Sequence, residues 1–365
     1  RTLGAGRSMT FRRVTLPMLM PALLGASLLT FMTSGASFSA PLFFGNNFPY
    51  LSVQIYNERT QFHEAEAVTL SVVLALISLL GILIFRSWRR AATGGGKGTP
   101  RVIRSRRGRG IAAALAWLGM LLLLAPHLNI LLLSFADHRA WQTQLLPTSY
   151  TFGNYAMIFS DPTAFRPIQN SLWMSIVAAV GCFAIGMPAA YLMGRTRRGN
   201  LIVAFLIMIP WALPGTVTAM NLITAFNDRW LPLYNTILIL PIAYFVRYIP
   251  LWARMATAAV TRFDATLIEA ARSLGASPAY CFVRIVVPLM APSIVAATAL
   301  VFASCLGEFV ATILLYTPSN LPIAIQINQE WRGSGVGSAF AYSVLLMIIV
   351  TATFAASRRF ASRTL

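Results

Sequence analysis

The sequence predicts an all-α, polytopic transmembrane helical bundle, and three observations carry that expectation. The chain of 365 residues is 57% hydrophobic and 11% charged, with a mean hydropathy of +0.68; a soluble domain carries roughly 25% charged residues. Eight apolar runs reach the length of about 20 residues that a spanning helix needs; they lie near 14–35, 67–85, 111–134, 171–193, 201–224, 235–253, 286–306 and 338–357. Between these runs the basic residues alternate in the way a multi-spanning chain requires.

Each run is bounded by charge on a consistent side. Arg12 and Arg13 precede the first run, and Arg86, Arg89 and Arg90 follow the second. Arg195, Arg197 and Arg198 follow the fourth; Arg254, Arg262, Arg272 and Arg284 lie between the sixth and seventh; Arg358, Arg359 and Arg363 come last. The positive-inside rule makes that side cytoplasmic, with both ends of this chain on it. Glu58, Glu64, Glu66, Asp137, Asp161, Asp228, Glu308 and Glu330 fall at or near the other side. The net charge of +19 therefore reads as membrane orientation and not as a nucleic-acid footprint.

Residues 1–45 and 272–316 are two copies of one segment. At an offset of 271 the pairs Leu3/Leu274, Gly4/Gly275, Ala5/Ala276, Phe11/Phe282, Arg13/Arg284, Pro17/Pro288, Pro21/Pro292, Phe31/Phe302, Phe38/Phe309 and Ala40/Ala311 are identical. After a one-residue slip, LSVQIYNE (51–58) matches IAIQINQE (323–330). Such a repeat in a membrane chain implies two equivalent halves. The expected organisation is the C-terminal part of a first unit with two spans (1–85), a linker (86–110) and a complete second unit with six spans (111–365). The counterpart of residues 111–271 is expected upstream of Arg1, in a longer protein.

Residues 86–110 are basic and Gly-rich, without an acid, as a flexible cytoplasmic linker would be. GGGKGTP (94–100) does not make a phosphate-binding loop, because Gly98 follows Lys97 and Ala91 stands where the first glycine belongs. Contact with anionic headgroups is the better secondary role. Cys182, Cys281 and Cys305 lack metal-ligand spacing and are expected as free thiols. His63, His127 and His138 are scattered, so no metal site is expected. Pro126, Pro188, Pro210, Pro214, Pro241, Pro250 and Pro292 interrupt the runs. In lipid such breaks need protein or a polar cavity to satisfy the freed backbone. WALPG (211–215) is the clearest case, as a pathway lining or a packing kink.

FDATLIEAARSLGASPAYCFVRIVVPLMAP (263–292) lies between two spans on the basic side. Asp264 or Thr266 can cap a helix, and Thr266 to Glu269 has capping-box spacing. Gly275 sits where a left-handed cap belongs, and Ser277-Pro278 reads as N-cap and first position of a second helix. The loop is thus a helix–turn–helix bend with small residues Ala270, Ala271 and Gly275 and apolar anchors Ile268 and Leu274.

Glu269-Ala270-Ala271, Gly275 and Ile285-Val286-Val287-Pro288 together resemble the cytoplasmic EAA signature of permease subunits of binding-protein-dependent ABC importers, with the MetI-like permease fold. Val287 departs from the usual Leu. The first copy keeps Leu3, Gly4 and Leu16-Pro17. The resemblance covers 111–365 as one unit and 1–85 as the tail of another, a fused arrangement similar to ferric-iron importer permeases. It implies that Glu269, Ala270, Ala271, Arg272, Leu274, Gly275 and Pro288, with Leu3 and Gly4, form coupling loops docking on a pair of separate ABC ATPase subunits. It implies further that ATP is bound by those partners and no cofactor by this chain, that an extracytoplasmic binding protein delivers the solute, and that the bacterial inner membrane is the location. Ferric iron is the first substrate expectation, with thiamine, phosphonate and polyamine as alternatives. Glu269 is expected as a partner contact, or as a capping carboxylate on its own helix.

Pro214, Arg247 and Glu308 are the candidate pathway residues. Arg247 interrupts the sixth run; a charge in the bilayer usually faces a polar interior, but snorkelling to the inner headgroups is preferred here. Glu308 could face a cation, pair with Arg247 or cap the outer surface. Its counterpart in the first copy is Ser37. No nucleophile–base or paired-carboxylate arrangement is readable, so a catalytic role is not expected. An ion-coupled secondary transporter would need a carboxylate at a span centre, which the runs do not offer. A scaffold without flux would leave the capped loop without a purpose.

Overall fold

The computed structural model describes residues 6–35, 37–46, 48–91, 105–137, 146–195, 200–228, 230–261, 264, 266–333 and 335–363. Among them the regular structure is helical, with an isolated bridge between Ala136 and Tyr150. The chain opens with α1 (Arg7–Thr10), a π-helical turn (Phe11–Thr15), α2 (Leu16–Gly35), α3 (Ser39–Phe44), α4 (Leu51–Thr60) and α5 (Glu64–Ala91). α6 (Arg106–Leu133), α7 (Gly153–Ser160), α8 (Pro162–Arg195), α9 (Asn200–Ala212), α10 (Gly215–Phe226) and α11 (Ile239–Val260) follow. Then come α12 (Thr266–Ser273), α13 (Pro278–Cys281), a second π-helical turn (Phe282–Val286), α14 (Val287–Leu289), α15 (Ala291–Leu306), α16 (Thr312–Leu315), α17 (Ile323–Arg332) and α18 (Val336–Arg363).

Helix boundaries repeat as the residues do. α1, the first π turn and α2 correspond at an offset of 271 to α13, the second π turn and residues 287–306. α4 and α5 correspond to α17 and α18 at an offset of 272. The π turns have a local cause. Pro17 and Pro288 clash with the carbonyl four residues earlier, which belongs to Arg13 and Arg284. A locally widened turn relieves that clash. The copies then differ: α2 runs unbroken, whereas Met290 breaks its counterpart and residues 278–289 and 291–306 are bent by 72°.

Two compact units are present, Arg1–Trp117 with Ala212–Met220, and Leu118–Trp211 with Asn221–Leu365. In the first, α2 and α4 pack on α5. Phe38 and Ile55 are buried there, Tyr56 meets Phe38 edge-on at 5.7 Å, and the Ser52 hydroxyl donates to the Ser37 carbonyl (2.6 Å). In the second, α8 packs along α11 and α15, and α18 packs on α15 and α17. Gly186 and Gly194 allow close approach of α8 to α11, since a Cβ would lie 2.6 Å from the Trp252 ring at the first and 2.5 Å from Val260 at the second; small residues serve this purpose between helices in lipid. Trp252 is fully buried, and its Nε1–H donates to Thr298 Oγ1 (3.0 Å), tying α11 to α15.

Eight spans are expected from the sequence. Among the described residues four helices are long and apolar enough to cross a membrane: Glu64–Gly81, Arg106–Leu133, Pro162–Gly194 and Val336–Phe360. Up to six qualify if the pairs Leu201–Ala212 with Gly215–Phe226 and Pro278–Leu289 with Ala291–Leu306 each make one broken span. α11 is 22 residues long, but Arg247, Arg254 and two prolines dilute its apolar character. Most of the linker, 92–104, lies outside the described residues, as do Leu3, Gly4 and His138.

Candidate functional site

The loop after α11 is a short helix held at both ends by local hydrogen bonds. Asp264 Oδ1 accepts the Thr266 N–H (3.0 Å); this bond holds the Asp264 carboxyl below the usual carboxylate range. The N-cap is therefore Asp264, and the Thr266–Glu269 capping box is not formed. At the other end Gly275 has φ +86°. Its N–H donates to the Arg272 carbonyl (3.0 Å) and the Ala276 N–H to that of Ala271 (3.0 Å). These are the two bonds of a Schellman cap, which needs a residue tolerant of positive φ. Ser277 then caps α13, its Oγ accepting the Tyr280 N–H (3.2 Å), with Pro278 in the first turn.

This double capping presents a defined surface. Ile268 is buried and anchors α12, while Leu274 is 90% exposed, so of the two expected anchors only Ile268 packs into the chain. Glu269, Ala270, Arg272, Gly275 and Pro288 are exposed and Ala271 is half-buried. Among the described residues the Glu269 carboxylate forms no hydrogen bond or ion pair. Behind the loop a groove of about 610 Å³ is bounded by Met255 and Ala258 of α11, Asp264 and Leu267 of the loop, and Leu289 and Ser293 beyond it.

A second cluster lies at the far end of the same helices. Glu308 is 4% exposed. Its Oε2 accepts from Arg247 Nε (2.9 Å) and from the Tyr248 hydroxyl (2.7 Å). Its Oε1 accepts the Ala311 N–H (2.8 Å). The Thr312 hydroxyl donates to the Glu308 carbonyl (2.8 Å) and lies 3.1 Å from the buried Tyr244 hydroxyl. Arg247 thus turns to Glu308 and does not snorkel; a buried carboxylate sixty-one residues away in sequence is a closer counter-charge than the headgroups. Glu308 is at once pair and cap.

Pro214 is the third candidate. It is buried between α9 and α10, and its carbonyl accepts from the N–H (3.0 Å) and hydroxyl (3.1 Å) of Thr218. Nearby, the Thr216 hydroxyl is buried without a partner. The sequence missed Tyr244, Tyr248 and Thr312. Tyr248 adjoins Arg247 and was the available signal; nothing local marks the other two. Cys182, Cys281 and Cys305 are buried free thiols. Among the described residues no three His, Cys, Asp or Glu side chains gather to hold a metal.

Comparison with known proteins places these features. The family model described as "binding-protein-dependent transport system inner membrane component" matches residues 1–93 and 182–365. The chain is 33% identical to a probable ABC transporter permease of Sinorhizobium fredii, over 90% of this chain and 60% of that protein. It is 29% identical to the ferric transport system permease FbpB of Actinobacillus pleuropneumoniae, over 96% of this chain and 52% of that one. The chain therefore spans about half to three-fifths of the length of these relatives. It is 24% identical to the spermidine/putrescine transport system permease PotB of Escherichia coli, over 68% of this chain and 96% of that one. In fold it matches a chain in the crystal structure of a bacterial ABC transporter involved in import of the acidic polysaccharide alginate, with a TM-score of 0.57 and 21% identity over 72% of this chain and 99% of that one. The repeat, the capped loop and the helical fold thus agree with one origin, and the chain belongs to the family of binding-protein-dependent transport system inner membrane components.

Proposed function

We propose that this chain is part of the translocation pathway of an ATP-driven importer and performs no chemistry itself. Two copies of a separate ABC ATPase would bind and hydrolyse ATP, and an extracytoplasmic binding protein would deliver the solute. In this reading the α12 loop, the linker and both ends of the chain are cytoplasmic. The observation that carries the proposal is the exposed, doubly capped α12, with Glu269 unpaired among the described residues and Leu274 exposed beside it. A stiff helix with a free carboxylate and an apolar tip is suited to a cleft on a partner, where Glu269 and Arg272 can pair across the interface. Leu3 and Gly4 would contribute the matching loop of the first repeat.

Ferric iron is the proposed cargo, supported by the relative named as a ferric transport system permease; the polyamine permease relative supports the alternative. Arg247 and Glu308 belong to the wall of the pathway and not to its cargo contacts, because the Glu308 carboxylate already accepts from three donors. Pro214 belongs to the wall as the break between α9 and α10.

The test uses the full-length permease with its ATPase. Glu269→Ala should leave the permease folded and reduce ATPase co-purification. Retention equal to wild type would remove the docking role. Uptake of radiolabelled ferric iron, competed by unlabelled spermidine or not, separates the two cargo readings.

A further inference from the structure

We propose that Arg247, Tyr248 and Glu308 are positioning residues. They form a clasp that binds the two arms flanking the coupling loop into one lever. The inference rests on the reading of α12 as the ATPase-docking helix. α11 enters that loop and α15 leaves it. The arms are tied midway by the Trp252–Thr298 hydrogen bond. They are tied again at the far end, where Glu308 lies two residues beyond α15. Arg247 lies thirteen residues before Val260, the last residue of α11, so the clasp is about 20 Å from the loop along the helix axis. A lever whose arms were joined only beside the loop would splay when α12 is displaced. One clasped at the remote end turns as a body.

The geometry of the clasp fits this role and not that of a cargo site. Both oxygens of the Glu308 carboxylate are engaged, by a guanidinium, a phenol and a backbone N–H. Thr312 adds a bond to the Glu308 carbonyl beside Tyr244, one helical turn from Arg247 and Tyr248. The turn after α15 is thus fastened to α11 over two successive turns. In the first repeat the same backbone turn carries the uncharged Ser37, so the turn itself does not require a carboxylate.

The experiment compares Arg247→Met, Glu308→Gln, the double variant and Arg247→Lys in the full-length permease, reconstituted with its ATPase and binding protein. Melting temperature, ATP hydrolysis and solute taken up per ATP are measured. The single neutral variants should melt lower and lose coupling, since each strands a polar or charged partner. The double variant removes both charges and should regain the melting temperature and hydrolyse ATP, yet take up about tenfold less solute per ATP, a loss within the usual span of coupling between sites. Arg247→Lys should retain more than half of the coupling, because Glu308 is held by a single guanidinium N–H that an ammonium can replace. A double variant with wild-type uptake per ATP would show that the pair only neutralises charge and would overturn the lever. Absence of ATP-driven uptake by the wild-type assembly would instead overturn the importer reading, and the lever with it.

Discussion

The turns of the two repeats match hydrogen bond for hydrogen bond, but at one of them Ser37 stands where the other copy carries Glu308. The Ser37 N–H donates to the Ser34 carbonyl at 3.0 Å, and the Glu308 N–H to the Cys305 carbonyl at 3.1 Å. Gly45 donates to Pro41 and Tyr316 to Thr312, both at 2.8 Å; His63 donates to Glu58 and Gly335 to Glu330, both at 2.9 Å. Gln54 bonds Glu58 on α4 as Gln326 bonds Glu330 on α17. These positions are filled by residues as different as Ser and Cys or His and Gly. The turns are therefore held by main-chain bonds and by the proline and glycine spacing, not by the side chains at each site. Ser37 against Glu308 is the exception that changes energetics, since one places a half-exposed hydroxyl at the turn and the other a buried carboxylate paired to Arg247.

The largest expected effect comes from making the second repeat like the first. Glu308→Ser leaves Arg247 without its buried counter-charge, and breaking such a pair from one side costs ~3–5 kcal/mol. Ser37→Ala in the first repeat is expected to stay within ~0.5 kcal/mol, as for an ordinary surface-like substitution. Denaturation midpoints of the two variants in detergent check this, and equal midpoints would contradict the contrast. The next effect lies at the paired glycines. Gly275→Ala forces a Cβ into the left-handed region at a cost of ~1–2 kcal/mol, while Gly275→Asn is tolerated better because Asn visits that region. Loss of ATPase co-purification with Ala, relieved with Asn, is the expected outcome. Repeating the substitution at Gly4 sharpens the comparison: an equal loss there would show that both loops dock.

Much of this was legible because its causes are local. Pro17 and Pro288 match across the repeat, and a π turn stands just before each. Gly275 and Ser277-Pro278 specify the bend between α12 and α13 within five residues. The repeat announced the helix boundaries of one copy from those of the other. What was not legible is long-range or competitive. The partner of Arg247 lies on the far side of the loop, and no window of sequence shows how α11 and α15 face each other. The choice of Asp264 over a Thr266–Glu269 box is a contest between two local donor–acceptor sets that spacing alone cannot decide. The span count depends on whether α11, with Arg247 paired to a buried carboxylate and Arg254 exposed, behaves as an apolar helix.

The smallest effect distinguishes the two caps of the loop. Asp264 titrates and Ser277 does not. The Asp264 carboxyl is held below its ordinary value by the Thr266 N–H, so its folded-state pKa is depressed. Its contribution to α12 is then complete above the unfolded value and is lost as pH falls through the folded one. α13, capped by a hydroxyl, has no such term. Acidification should therefore lower amide protection in Thr266–Ser273 before it lowers that of the residues after Ser277. Asp264→Asn keeps an acceptor at the cap without a titrating charge, and should abolish the difference between the two helices. Hydrogen-exchange protection factors compared across the acid range give the readout. A parallel loss in both helices would mean that the loop is held by its packing through Ile268, and that the cap only follows.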